Sequence, residues 1–516
     1  MAPLLVLLVG IVFVVFTITV LKIHPFLSLI SAGFLVGLLS PIPLNMQEEV
    51  ESGRKLLLFQ LDTGEITAEE HQTLLENLAE NTKQRLEKIE EGSGQWAVDS
   101  LEITAKELGN TAASIAIIIV LAAIIGQCLM ESGAADKITR RFLALLGIDR
   151  APIALMGSAY IFSVPVFFDT VIFLLVPLAR ALRLRTGKNF VLFICAIATG
   201  SVITHSLVPP TPGPLLMADN LSHLGLDLGA AILFGFLLGL LPAAASLIFA
   251  SYINRRYDIP VREAMGADRA ELEAMVERHE SELPGLLPSI LPVVLPVGLI
   301  SGSTILSTLA AQKYAAFPSW LLGSAAFFGN KNMALLIGAL FASLLLIRYK
   351  NLQLSEFAKR IEPAMMSAGI IILITSAGGA FGKMLARTGI GGSLDNLTGD
   401  GQFGAAGYIL VAWILAAIMK TAQGSGTVAI ITASGMMAAI LTPDTISFHP
   451  IYLFAAIGFG SMFITWMNDS GFWVVCKMSG FTEKETLSIW TPLLAVISIV
   501  GLIEILILSA ILPFHG

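Results

Sequence analysis

Asp169 and Asp469 each lie inside a long apolar stretch of this 516-residue sequence. Asp169 ends the run Pro-Val-Phe-Phe-Asp, and Asp469 stands in Asn468-Asp469-Ser-Gly-Phe-Trp. A charged carboxylate is costly inside a membrane, so such a residue is a functional candidate by default and can bind a proton there. Each Asp could instead cap the helix that follows it. Asn468 adds a donor and an acceptor for a polar ligand.

A second group of polar residues surrounds a proline-rich break. Four prolines fall within residues 209–214, and they cannot continue a helix because each one lacks the backbone donor. An unperturbed histidine titrates near neutral pH, which makes His205 a third candidate for proton handling, although a structural hydrogen bond would also explain it. The polar candidates for substrate contact at this break are Thr204, His205, Ser206 and Thr211.

A third polar cluster combines glycine with small polar side chains. Its candidates for substrate contact are Gln423, Gly424, Ser425, Gly426 and Thr427. Glycine allows a ligand to approach the backbone closely, and a helix beginning there would present its N-terminus to a carboxylate. Lys420, just before the cluster, could add positive charge or extend to the membrane interface.

The composition identifies the surroundings of these clusters as a membrane. Hydrophobic residues make up 55% of the chain, charged residues 13%, and the mean hydropathy is +0.80. A typical soluble domain has about 25% charged residues. These values exclude a soluble enzyme, a nucleic-acid-binding protein and a disordered scaffold. We read Trp320, Trp413 and Trp490 as anchors at the membrane interface.

The hydropathy pattern predicts an all-α polytopic membrane protein. About 20 apolar residues span a bilayer, and ten segments fit: 3–21, 25–40, 111–130, 189–222, 227–251, 286–305, 331–347, 366–386, 450–480 and 488–512. Of these, 189–222 and 450–480 have polar or proline-rich centres and are predicted to be broken helices. The stretches 151–179 and 405–440 are predicted to be re-entrant hairpins, which a membrane tolerates when protein surrounds their tips.

Charge predicts the orientation of these segments. Residues 41–110 carry 15 acidic and 6 basic side chains, whereas the remaining chain has a balance of +2. Basic loops tend to remain in the cytoplasm. Accordingly, the loops flanking 151–179 and the 252–285 linker are placed inside, and the acidic 41–110 insert and both termini outside.

The two halves of the chain resemble each other. At an offset of 256 positions, Gly126 to Gly133 aligns with Gly382 to Gly389, and Asp169 aligns with Ser425. We therefore predict two inverted repeats of five spans and one hairpin each, an architecture of secondary transporters. The first repeat takes residues 1–40 and 111–251, and the second takes 286–516.

Together these motifs resemble the gluconate permease family, bacterial gluconate/proton symporters whose relatives carry idonate or D-serine. The resemblance implies a dimeric inner-membrane symporter of the ion-transporter superfamily with an elevator-like motion. It maps the family's site onto Asp169, Thr204, His205, Gln423, Gly424, Ser425, Thr427, Asn468 and Asp469. The chain departs from the family in the 41–110 insert, in Thr211, where a His is frequent, and in Lys420, where an Arg is frequent.

The predicted function is proton-coupled symport of gluconate or a related hydroxy- or amino-carboxylate, with Asp169, Asp469 and His205 handling protons. No cofactor, metal, nucleic-acid partner or enzymatic activity is predicted. Sodium-coupled carboxylate transport is an alternative, since unwound Asn-, Ser- and Thr-rich segments also bind sodium. A channel and an intramembrane hydrolase using Ser425 and His205 are more remote alternatives.

Overall fold

The structure is a computed structural model, and in the part of the chain that it describes all regular structure is helical. It describes residues 3–40, 67, 70, 72–77, 93–262, 283–311, 317–388, 404–443, 446–467 and 469–512. The predicted all-α fold is confirmed at this level. Most of the 41–110 insert and most of the 252–285 linker lie outside the described residues.

The helices are numbered here in chain order. The first half contains α1 (Pro3–Thr19), α2 (Pro25–Leu39), α3 (Ser93–Glu131), α4 (Ala134–Leu146), α5 (Ala151–Phe162), α6 (Phe168–Thr186), α7 (Phe190–Leu207), α8 (Pro212–Asn220), α9 (Leu228–Leu238) and α10 (Leu240–Arg256). The second half contains α11 (Leu286–Ala311), α12 (Ser319–Phe328), α13 (Lys331–Lys350), α14 (Leu354–Ala386), α15 (Ala405–Gln423), α16 (Gly426–Ile440), α17 (Ile451–Gly460), α18 (Ser470–Ser479) and α19 (Glu483–Ile511).

Among the described residues, seven helical segments are long and apolar enough to cross a membrane. They are 96–131, 190–220, 228–256, 286–307, 331–350, 354–385 and 483–511. These seven correspond to seven of the ten predicted spans. The other three predicted spans contain shorter apolar helices, namely α1, α2 and α17. The chain is therefore a multi-pass membrane protein. One short helix, α12, was not predicted from the sequence.

Helix α3 begins at Ser93, well before the predicted boundary at residue 110. The sequence did not predict this stretch as part of a span, because four residues from Asp99 to Glu107 are charged. Glu107 is nevertheless buried, because Arg387 at 2.6 Å and Lys383 at 3.6 Å neutralise its carboxylate. A charge can stay inside a membrane when it is paired in this way.

The chain divides into two compact units. Unit 1 comprises Met1–Ala112, Ser376–Gln402 and Gly435–Thr442. Within it α1 packs on α2, and the indole Nε1 of Trp96 donates to the carbonyl of Gly37 at 3.0 Å. The Glu107 ion pairs connect the first part of α3 to the end of α14 and the residues after it.

Unit 2 comprises Ala113–Thr375, Phe403–Ser434 and Pro443–Gly516. Two buried helices lie within it: α7 packs against α5, α6 and α10, and α17 packs against α15 and α19. All ten residues of α17 are buried. Glycine permits a close approach in both places. A Cβ at Gly200 on α7 would overlap the Met156 carbonyl oxygen of α5, and a Cβ at Gly460 on α17 would overlap the Trp413 carbonyl oxygen of α15.

Each of the four interrupted segments in unit 2 consists of two helices. Helices α5 and α6 are separated by residues 163–167, α7 and α8 by 208–211, α15 and α16 by 424–425, and α17 and α18 by 461–469. Helices α6 and α18 also pack together, where Arg180 on α6 donates to the Met478 carbonyl of α18 at 3.2 Å. That contact holds the two helices side by side near their C-terminal ends.

Candidate functional site

The four interruptions meet at one cavity of about 420 Å³ within unit 2. The first residues of four helices line it: Phe168 of α6, Pro212 of α8, Gly426 of α16 and Ser470 of α18. A helix N-terminus carries about half a positive charge, so four of them favour an anionic ligand. Three of these helices also begin with a residue that has a backbone N–H, whereas α8 begins with a proline, which has none. The volume is within the range of small-molecule sites.

Asp169 lies in the first turn of α6 and lines the cavity. Its side chain makes no hydrogen bond or ion pair with any described residue, and the helix N-cap is Phe167, which has no side-chain cap. Asp169 therefore places at the cavity a carboxyl group that has no hydrogen-bonding partner in the described part of the chain. The capping alternative for Asp169 is not what the structure shows.

Asp469, at the break between α17 and α18, is fully partnered. Its Oδ1 accepts a hydrogen bond from the backbone N–H of Gly471 at 2.9 Å, which caps α18. Its Oδ2 lies 2.6 Å from the ammonium Nζ of Lys420. The side chains are 13% and 5% exposed, so the two charges form a buried ion pair at the cavity. One interpretation of the sequence placed the Lys420 side chain at the membrane interface, whereas the structure has it buried in this ion pair.

The first break divides its predicted residues into two groups. His205 and Ser206, at the end of α7, line the cavity, and the Nδ1 of His205 is buried without a partner among the described residues. Thr204 and Thr211 do not line it. The Thr204 hydroxyl donates to the carbonyl of Gly200 at 3.0 Å. The Thr211 hydroxyl donates to the carbonyls of His205 and Val208 at 2.9 and 2.8 Å.

These contacts of Thr211 change the expectation for the break. The proline run leaves backbone carbonyls near the end of α7 without helical donors, and a ligand could have been their partner. The hydroxyl of Thr211 supplies that donor instead. The peptide bond between Pro209 and Pro210 is cis.

The Gly-Ser-Gly tip lies at the cavity through Ser425, Gly426 and Thr427. The Ser425 hydroxyl accepts from the N–H of Val428 at 3.3 Å, within the first turn of α16. The carbonyl of Gly424 accepts from Lys420 Nζ at 2.7 Å. The Gln423 side chain and the whole of Asn468 lie outside the described residues.

Several cavity residues, among them Trp490 and Thr465, were not assigned to the site from the sequence. Trp490, read as an interface anchor, is 3% exposed, lines the cavity and stacks on Phe168 at 5.8 Å between ring centroids. That reading is wrong for Trp490, because the helix α19 turns this residue inward. Its indole Nε1 and the hydroxyl of Thr465 are buried without partners in the described part of the chain. No signal in the sequence distinguished Trp490 from Trp320, which is 70% exposed.

The cavity combines charge with unused hydrogen-bonding groups. Its charged lining consists of Asp169, Asp469 and Lys420 among the described residues. Buried polar atoms normally have partners, so the unpartnered atoms of His205, Trp490 and Thr465 indicate a polar ligand. Ser425 and His205 make no hydrogen bond with each other where the structure describes them. No group of three or more potential metal ligands occurs there either.

Comparisons with known proteins agree with a transporter. A family model described as GntP family permease matches residues 93–511. The chain is 30% identical over 409 residues to a gluconate permease of Pseudomonas aeruginosa, covering 78% of this chain and 86% of the relative. It is 28% identical over 410 residues to the high-affinity gluconate transporter of Escherichia coli, covering 78% and 87%. An uncharacterised permease of Haemophilus influenzae is 29% identical over 428 residues, covering 82% and 86%.

A solved structure shares the fold. The crystal structure of the YdaH transporter from Alcanivorax borkumensis matches with a TM-score of 0.56 at 15% identity. The match covers 81% of this chain and 90% of that chain. These relatives are permeases and transporters, so the hydrolase alternative finds no support in them.

Proposed function

The chain belongs to the GntP family of permeases, and from that premise we propose that it is a secondary transporter that carries gluconate or a related small hydroxy- or amino-carboxylate with protons. Relatives that cover most of the chain carry the names gluconate permease and gluconate transporter. Relatives also include an inner membrane permease of Escherichia coli, which supports the bacterial inner membrane as the location.

The observation that carries the substrate class is the convergence of four helix N-termini and one lysine on a single cavity. A carboxylate is stabilised by both features. The hydroxyl groups of the substrate would bind the side chains of Ser206, Ser425 and Thr427. We extend the proposal to Gln423 and Asn468 on the strength of the family resemblance. Thr204 and Thr211 would stabilise the conformation at the end of α7 through their hydrogen bonds to its backbone carbonyls.

The charges of the site support proton coupling. With both Asp residues ionised and His205 neutral, the charged side chains of the cavity sum to −1. An entering carboxylate would raise the negative charge further, and protonation of one Asp offsets it. Asp169 is the strongest candidate, because its carboxyl group has no competing partner among the described residues. Asp469 and His205 are the other candidates.

The two repeats and the elevator-like motion are also proposed. The equivalent packing of Gly200 against α5 and of Gly460 against α15 supports two copies of one arrangement. Opposite orientation of the copies, a dimer, and the external position of the termini and the 41–110 insert rest on the sequence arguments and the family resemblance.

Uptake into proteoliposomes tests the proposal. The full-length protein should concentrate radiolabelled gluconate, glycerate or D-serine when a pH gradient, acidic outside, is the sole driving force. We expect Asp169→Asn to abolish accumulation and Asp469→Asn to reduce it, whereas Asp149→Asn, on an exposed turn, should behave like the unaltered protein. Accumulation that follows a sodium gradient at constant pH would establish the sodium alternative. Accumulation by both cavity variants under a pH gradient would refute the assigned proton carriers.

A further inference from the structure

Lys420 is the one lysine or arginine among the described residues that line the cavity. Its ammonium has three donors. One is bonded to Asp469 Oδ2 at 2.6 Å and another to the Gly424 carbonyl at 2.7 Å. Among the described residues, the one lysine of the cavity is thus neutralised by a carboxylate of the protein. One donor remains for a substrate carboxylate, which must compete with Asp469 for the positive charge of Lys420.

The two oxygens of Asp469 have separate partners. Oδ1 accepts from the N–H of Gly471 and caps α18, and Oδ2 faces Lys420. A proton on Oδ2 would remove the charge that holds Lys420 while leaving the cap at Oδ1 intact. The carboxyl group can therefore change its charge without any need for α18 to unwind.

Asp169 does not have the same role, because its carboxyl group makes no hydrogen bond or ion pair with Lys420. Two titratable groups interact electrostatically with the pair: Asp169, at the start of α6, with Asp469, and His205, at the end of α7, with both members. Of the helices packed against α18, α19 contributes Trp490 and Leu494 to the cavity, and neither is charged.

We propose that Lys420 is the recognition site for the substrate carboxylate and that Asp469 is a protonation-controlled competitor for it. Deprotonated Asp469 holds Lys420, and protonated Asp469 releases it to the substrate. Proton and substrate then bind cooperatively, since each stabilises the form that the other requires. The proposal rests on the proposed function for the statement that the cargo is a carboxylate.

Equilibrium binding to the purified full-length protein in detergent tests this proposal without any gradient. Calorimetry would measure the Kd of gluconate between pH 5 and pH 9, with glycerate, D-serine and the uncharged polyol glucitol as comparison ligands. For the unaltered protein we expect the gluconate Kd to increase with pH, by at most tenfold per unit. Asp469→Asn is a matched change, because Asn is also a good helix N-cap. At high pH it should bind gluconate more tightly than the unaltered protein does, and its Kd should depend less steeply on pH.

Changes at Lys420 test the recognition role. Hydrogen bonds to charged groups contribute about 1.5–3 kcal/mol, which corresponds to a 10- to 150-fold weaker gluconate Kd in Lys420→Gln. Glucitol, which has no carboxylate, should show no comparable loss, and Lys420→Arg should restore part of the affinity for gluconate. If Lys420→Gln does not fold, the double variant Lys420→Gln/Asp469→Asn leaves no unpaired charge from the pair and should still bind gluconate weakly.

The outcomes separate the inference from the proposed function. Two results would overturn the competition between Asp469 and the substrate: native gluconate affinity in the double variant, or full pH dependence of the Kd in Asp469→Asn. Either result would leave the transporter assignment unchanged. An unaltered protein that binds none of the three carboxylates at any pH would overturn the substrate class together with the inference. Control measurements on Asp149→Asn should match the unaltered protein throughout.

Discussion

A double-mutant cycle at Lys420 and Asp469 measures how strongly the buried ion pair stabilises the protein. The two side chains are 5% and 13% exposed, and the atoms Nζ and Oδ2 are 2.6 Å apart. At an effective dielectric constant of about 20, their attraction is roughly 6 kcal/mol before the cost of desolvation is subtracted. Removing one partner leaves the other charge buried alone, which typically costs about 3–5 kcal/mol.

We therefore expect Lys420→Gln to lower the free energy of unfolding by about 3–5 kcal/mol. The double variant Lys420→Gln/Asp469→Asn should cost no more than the worse single variant, because neither charge then remains unpaired. Unfolding in mixed micelles with increasing dodecyl sulfate, followed by tryptophan fluorescence, provides the measurement. Lys477→Gln is a matched control on the exposed side of α18 and should cost less than about 1 kcal/mol.

One result would contradict the energetic coupling between Lys420 and Asp469. If the cost of the double variant equals the sum of the two single costs within about 0.5 kcal/mol, the residues are energetically independent. The ion pair would then contribute nothing to the stability of the cavity, whatever the distance between its atoms.

Two further predictions concern packing and hydrogen bonding. Gly200→Ala should destabilise the protein by about 1–3 kcal/mol in the same unfolding assay, because the new methyl group overlaps the backbone of α5. Gly298→Ala, where a Cβ meets nothing within 4 Å, is the control, and equal costs would contradict the packing argument. Trp490→Phe keeps an aromatic ring but replaces the indole by the smaller phenyl group, which has no N–H. We expect the KM for gluconate uptake to increase about fivefold, because a hydrogen bond of about 1 kcal/mol is lost. Trp320→Phe is the control and should leave the KM unchanged. An unchanged KM in Trp490→Phe would exclude Trp490 as a donor to the substrate.

Local patterns in the sequence predicted the positions of the interruptions well. Four prolines in six residues cannot remain helical, so the end of α7 was predictable near residue 208. Hydropathy likewise located the apolar helices, because the membrane imposes a length and a composition on every span. The same reasoning missed the start of α3 at Ser93. One of its charged residues, Glu107, is buried, and Arg387 and Lys383, far along the chain, neutralise it.

The division of roles among the polar residues was less predictable. Asp169 and Asp469 are equivalent candidates in the sequence, since each is one carboxylate in an apolar stretch. The structure separates them, because Asp469 is paired with Lys420 and caps α18, whereas Asp169 has no such contact where the structure describes it. Trp490 and Thr211 were also misjudged, for the same reason: the partner or cavity that defines each role is created by folding.

By itself, the sequence determined that this chain is a helical membrane protein of the permease type, with polar interruptions at four places. Those properties depend on residues that are close together in the chain, such as a run of prolines or twenty apolar side chains. Only the tertiary structure decided which cation faces which carboxylate and which tryptophan points into the cavity. Lys420 and Asp469 are 49 positions apart, and no local pattern encodes a contact that arises only when the helices carrying them are packed together.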